Sequence, residues 1–283
     1  MDQYNEHRYS AKNLTILGVE TVFWGFIYQR LVLNSLVPSI RTRLSKQAFW
    51  PRLESKQGQF MKTLEEECVI SLALAVHHLI SGGLMLLGYL KGDPELWVRG
   101  VTIELGYEIV DTYALIASGY PYSHMSSRRL KVATLMHHLP TLFLVPFMLG
   151  FGYHANPSFQ RVGWSLIGAG GVSFLCESVK KTRNLKTEIG SWIVIHMSSL
   201  IVMVLVRFVV FFRSSSETIE MIQSRHGSGL LVYVLTTGAL MMLLFNLFLL
   251  ATYLQKLQRH TRRLWNPSKS ECMVDNVSAA KRP

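Results

Sequence analysis

Seven runs of mostly apolar residues, separated by polar connections, pattern this 283-residue chain. They cover roughly residues 14–37, 67–90, 97–117, 130–153, 159–176, 189–212 and 229–254. About 20 apolar residues in a helix are needed to cross ~30 Å of hydrocarbon, so each run has the length of a membrane span. Only helices or closed barrels satisfy their backbone polar groups inside a bilayer. These runs are too long and too continuous for barrel strands, so the pattern predicts an all-α, polytopic transmembrane bundle of about seven helices. The fifth run is short and glycine-rich, and its ends are the least sharply drawn.

The connections predict an orientation. Arg41, Arg43, Lys46, Arg52, Lys56 and Lys62 follow the first run; Arg128, Arg129 and Lys131 follow the third. Lys180, Lys181, Arg183 and Lys186 follow the fifth, and Lys256, Arg259, Arg262 and Arg263 the seventh. The intervening connections are balanced, with Lys91 and Arg99 against Asp93 and Glu95, and Arg213 and Arg225 against Glu217 and Glu220. Positive residues stay cytoplasmic, which predicts a lumenal or external N-terminus and a cytosolic C-terminus. The net charge of +11 follows from this bias and points to topology and anionic lipid contact, not to nucleic acid. The start of the chain is polar and reads as having no cleavable signal peptide. The three cysteines, Cys68, Cys176 and Cys272, fall on the predicted cytosolic side, against a disulfide framework.

This divides the chain into an N-terminal lumenal tail (1–13), a first transmembrane helix with a cytosolic connector (14–56), a membrane domain (57–256) and a basic tail (257–283). Within the connector, Phe49, Trp50 and Phe60 are interleaved with positive charge, suiting either an interfacial segment or a solvated loop. Such a bundle is compatible with an oligomer.

Ionisable groups inside a span cost at least ~2.5–3.5 kcal/mol and so normally face the bundle interior. The third run carries Glu104, Glu108 and Asp111, whose i, i+4, i+7 spacing sets all three on one helical face. That stripe is expected to line a cavity or to bind polar partners. The fourth run carries His137 and His138, the second His77 and His78, the sixth His196 and Arg207, and the seventh Asn246. Histidine beside a carboxylate suits nucleophilic or general acid–base chemistry, with His137 and His138 acting and Asp111, Glu108 or Glu104 orienting. His77 and His78 are equally suited to hydrogen bonding across helices, and Arg207 to snorkelling or to a structural ion pair. The spacings match no helical metal motif, so no metal and no cofactor is expected. Gly163, Gly168, Gly170 and Gly171 read as a close-packing surface between helices.

Several of these elements resemble those of the TLC-domain family. The run 105–111, Leu-Gly-Tyr-Glu-Ile-Val-Asp, is similar to its G-Y-x-x-x-D element. His137-His138 followed by Leu139-Pro140-Thr141-Leu142 is similar to H-H-x-x-T-L. Glu177-Ser178 with Arg183-Asn184 resembles the Glu-Ser…Asn element. The resemblance implies six helices forming a barrel around a lipid-sized cavity, one helix preceding them, residence in the endoplasmic reticulum, and a role in membrane lipid homeostasis or trafficking. Ceramide synthases in that family carry an H-D-x-x-x-D-like acidic element at the positions where this chain has Ala169, Gly170 and Ser173. Three functions follow as expectations: a protein that binds or regulates membrane lipids; a lipid acyltransferase with acyl-CoA as substrate; and, least in keeping with the motifs, a transporter or receptor.

Overall fold

The computed structural model describes residues 11–51, 63–117, 119, 128–185 and 187–265. Among them are seven helical rods and no strand. The first rod is continuous through α1 (Ala11–Ile27), a π-helical stretch π1 (Tyr28–Leu36) and α2 (Val37–Leu44). Then come α3 (Leu64–Lys91), α4 (Pro94–Ile116), α5 (Arg128–Gly150) and α6 (Pro157–Thr182). The sixth rod joins α7 (Ile189–Val202), π2 (Met203–Val210) and α8 (Phe211–His226), and α9 (Leu230–Trp265) closes the order.

Local chemistry sets the ends of these rods. Thr63 caps α3 by accepting from Glu66 N at 3.2 Å, with three glutamates in the first turn where the helix dipole favours them. Gly92 ends α3 at φ 63°, a left-handed geometry that favours glycine. Asp93-Pro94 then starts α4, Asp93 Oδ1 accepting from Leu96 N at 3.0 Å. Asn156-Pro157 starts α6 in the same way, Asn156 Oδ1 accepting from the Ser158 and Phe159 amides.

Five rods are long and apolar enough to cross a membrane: Leu14–Leu44, Leu64–Lys91, Pro157–Thr182, Ile189–His226 and Leu230–Arg259. Helices α4 and α5 have 23 residues each, about 34 Å at 1.5 Å per residue, but are less uniformly apolar. The charges of α4 explain why: Glu104, Glu108 and Asp111 are all at least 98% buried inside the bundle. Outward-facing Phe23, Phe143, Val194, Phe212 and Leu240 are instead more than half exposed. This inside-out distribution suits a lipid solvent and defines an integral membrane protein.

The boundaries drawn from sequence need lengthening at four places, the first run continuing past residue 37 to Leu44. The fifth run is no short span: α6 covers 26 residues. The sixth continues past residue 212 to His226, and the seventh past 254 to Trp265. In each case polar residues extend an apolar helix beyond the run that hydropathy marks. Residues 266–283, the rest of the basic tail, lie outside the described residues, as do residues 1–10 and Cys272. In the connector, Phe60 lies outside them as well, whereas Trp50 is 95% buried against Tyr28, Val37 and Ile40.

The most extensive helix contact joins α3 and α6. Its partners run antiparallel: Cys68 with Ser178, Ser71 with Lys181, Leu79 with Gly171 and Gly82 with Gly168. A Cβ on Gly82 would lie 2.7 Å from Gly168 N, and one on Gly171 would lie 2.9 Å from Leu79 N. Close packing thus holds at Gly171, and at Gly163, where a Cβ would meet Trp97 at 2.7 Å. Gly168 accommodates its partner without being crowded itself, and Gly170 has room.

Candidate functional site

Two adjoining cavities are walled by the described helices. The larger, about 400 Å³, has His78, His138, Glu67, Lys181 and Arg207 in its wall; the smaller, about 120 Å³, is apolar apart from a few groups such as Glu104 and Ser215. They share Leu166 and Ile167 in their walls, so the two adjoin there. Both are walled by the six rods from α3 onward, and no residue of the first rod lines either one. The larger cavity reaches from mid-bundle to the helix ends that carry Glu67, Lys181 and Lys256.

The acidic stripe of α4 is split among different partners. Glu104 turns to α3, where both its oxygens face His78 Nδ1, at 3.1 and 3.2 Å. His77 Nε2 is 3.4 Å from Glu104 Oε2, and Ser81 donates to that oxygen at 2.6 Å. Asp111 instead turns to α5, its Oδ2 lying 3.6 Å from His138 Nε2, while the hydroxyl of the next residue, Thr112, is 3.0 Å from His138 Nδ1. Glu108 lies between them in sequence, is fully buried, and lines neither cavity.

The five residues singled out in the sequence therefore do not form one constellation. His138 and Asp111 meet, but Glu104 belongs with His77 and His78. Among the described residues His137 meets no carboxylate; its ring stacks on Phe245 of α9 at 4.7 Å and 12°. Helical geometry accounts for this, because adjacent side chains point about 100° apart and only one of the two histidines can turn toward α4.

The orientation of each imidazole limits its chemistry. A histidine acting on a substrate needs a carboxylate at one nitrogen and access at the other. Both nitrogens of His138 are occupied, by Asp111 and by Thr112. His137 has a buried Nδ1 without a hydrogen-bond partner among the described residues, but no carboxylate to orient it. His78 meets both conditions. Glu104 holds Nδ1, and the Cδ2 edge beside Nε2 faces Gly170, where an added Cβ would sit 3.7 Å away. His78 and Gly170 both line the larger cavity. Sequence spacing gave no reason to rank His78 above the α5 pair, since its acid partner comes from a different helix.

His77, His78 and Glu104 also offer one ligand atom each, all within 4.8 Å of one another. The observed nitrogen–oxygen separations of 3.1–3.4 Å approach the ~3.4 Å edge of a tetrahedral zinc site with ~2.1 Å bonds. The same distances are those of an imidazole–carboxylate network closed by Ser81, which accounts for the trio without an ion.

A second polar network supports the charged end of the cavity. Lys180, 97% buried, donates to Glu177 Oε1 at 2.6 Å and lies 2.7 Å from His196 Nδ1. An ammonium only donates, so His196 accepts at Nδ1 and carries its proton on Nε2, which donates to the Tyr253 carbonyl at 2.8 Å. The ring is stacked between its neighbours Trp192 and Tyr253, with centroids 4.8 and 5.1 Å away. Lys181 pairs with Glu67 at 3.4 Å and Lys256 with Glu177 at 3.7 Å. Replacing Lys180 by methionine is expected to cost about 3 kcal/mol, because Glu177 keeps only the longer Lys256 contact and His196 loses its donor. Adding Glu177→Gln should restore part of that loss. Thermal unfolding of the two single variants and the double variant in detergent checks the coupling.

The class defined by fold and site is thus an all-helical integral membrane protein with a polar, partly apolar interior cavity. Comparison with protein-family models, with curated proteins and with solved structures gives no match.

Proposed function

We propose that this protein holds a membrane lipid in the cavity between its last six rods and acts in lipid binding or regulation, within membrane lipid homeostasis or trafficking. The cavity carries this reading. Its volume of about 400 Å³ falls within the ~300–1,000 Å³ usual for small-molecule sites. Charged and hydroxyl groups at its Lys181–Lys256 end suit a headgroup, and the apolar cavity that adjoins it at Leu166 and Ile167 suits a chain. The TLC resemblance favours the same function, residence in the endoplasmic reticulum, and a barrel of six helices. The loop charges favour a lumenal N-terminus and a cytosolic C-terminus, with the headgroup end of the cavity on the cytosolic side.

Gly170→Leu tests this reading. The first added carbon fits, and the remaining atoms occupy the cavity beside His78. Lipid co-purifying with the protein in mild detergent should fall about tenfold or more, while the delipidated variant and the delipidated wild type unfold at the same temperature. Equal lipid content in both proteins would reject the cavity as the binding site.

A second reading, acyl transfer from acyl-CoA, rests on the His78–Glu104 pair at the cavity wall. It requires an acyl adduct or acylated lipid after incubation with long-chain acyl-CoA, lost in His78→Ala and kept in His137→Ala. Absence of both products in the wild type would remove it.

A further inference from the structure

Arg207 is the one cation on the cavity wall with no carboxylate partner among the described residues. Lys181 and Lys256 are neutralised by Glu67 and Glu177. Arg207 is 95% buried, so it does not reach a membrane surface as a snorkelling side chain would. Nor is it in an ion pair with any described residue. Its guanidinium lies over the Phe245 ring at 5.6 Å, and its buried Nε has no hydrogen-bond partner among the described residues. An aromatic face offsets only part of the cost of removing a guanidinium from water.

The backbone is built to hold this side chain inward. Arg207 sits in π2, and wide π turns inside α-helices are frequent at functional sites. Asn246, fully buried on α9, donates from Nδ2 to the Arg207 carbonyl at 3.1 Å. Phe245, the adjacent residue of α9, takes both the guanidinium and the stacked His137 ring. Two neighbouring α9 residues thus fix Arg207 at the cavity wall, while its charge is left without a counter-ion.

We propose that Arg207 anchors an oxyanion, the carboxylate or phosphate of an acidic lipid headgroup lodged in this cavity. The proposal rests on the lipid-binding reading above and names the class of lipid. A guanidinium presents paired N–H donors that match the geometry of carboxylate and phosphate, and hydrogen bonds between charged groups are the stronger kind. Acidic lipid brings the missing negative charge together with a chain for the adjoining apolar cavity; free phosphate brings only the charge.

The test uses the full-length protein, delipidated in mild detergent, as wild type, Arg207→Met and Arg207→Lys. Each is offered phosphatidylcholine alone, phosphatidylcholine with phosphatidic acid, oleate, or inorganic phosphate, and read by retained lipid and by unfolding temperature. The wild type is expected to retain phosphatidic acid or oleate and to unfold at a higher temperature with it. Arg207→Met should retain about tenfold less or lower, the loss of one charge-assisted interaction, and Arg207→Lys an intermediate amount. Delipidated Arg207→Met should unfold no lower than the delipidated wild type, since an unpaired buried charge has been removed. A lower unfolding temperature, or failure to fold, would make Arg207 structural and overturn the proposal. So would equal retention of acidic lipid by Arg207→Met, or equal retention of phosphatidylcholine and acidic lipids, although the lipid-binding reading would stand. Stabilisation by inorganic phosphate alone to the same extent would overturn the lipid headgroup as the source of the anion. No lipid retained by any of the proteins would reject the lipid-binding reading itself.

Discussion

Glu104→Ala is expected to lower stability by about 3–5 kcal/mol, the cost of removing one partner from a buried charged network. The carboxylate receives Ser81 at 2.6 Å and faces His78 at 3.1 Å, with His77 at 3.4 Å. Side-chain hydrogen bonds between membrane helices average only about 0.6 kcal/mol each, because the unfolded chain in the bilayer finds other partners. Glu104 exceeds that average because it is 98% buried and three groups from α3 depend on it. Glu104→Gln keeps an acceptor and the packing volume and should lose about half as much. Unfolding in detergent, monitored by helical signal, separates the two variants. Equal losses for Ala and Gln would show that charge, not hydrogen-bond acceptance, holds α4 to α3; no loss in either would remove the trio from the account of stability.

The second large effect is expected at Gly82, with its sequence neighbour as the control. Gly82→Ala places a methyl 2.7 Å from Gly168 N and 2.8 Å from Gly168 Cα, against the usual ~3.5–4.0 Å between carbon atoms. Both obstructing atoms are backbone, so α3 and α6 must separate along their whole contact, at a cost of about 2–3 kcal/mol. Gly83 has nothing within 4 Å of a Cβ. Gly83→Ala should therefore stabilise by up to about 1 kcal/mol, the helix-propensity difference between the two residues. Opposite signs at adjacent positions of one helix are the expected result. Stabilisation at both would mean that the α3–α6 crossing is looser than the close approach at Gly168.

Much of this architecture was legible as periodicity. The i, i+4, i+7 spacing of Glu104, Glu108 and Asp111 places them on one face, and burial of at least 98% for each agrees with an inward stripe. Spacing along one helix says nothing of which neighbour each stripe residue meets. Glu104 went to His78, 26 positions earlier, and Thr112 to His138, 26 positions later. Both pairings lie between helices, where register is set by how closely backbones approach. The decisive positions are small residues such as Gly82 and Gly171, whose partners cannot be read from their own identity. Arg207 illustrates the same boundary. Its presence in an apolar run was plain, but its lack of a carboxylate partner follows only from what surrounds it.

The sequence by itself determined the solvent, the helical class and which face of α4 turns inward. These follow from hydropathy over about 20 residues and from the 3.6-residue repeat, both local properties. Only the tertiary structure decided that Glu104 turns to His77 and His78 while Asp111 turns to His138, that His78 has a carboxylate partner where His137, on the wall of the same cavity, stacks on Phe245, and that Arg207 stands buried over that ring. The physical reason is that interhelical register depends on steric fit between distant segments, and a change of one residue in that register turns each side chain about 100° toward a different partner.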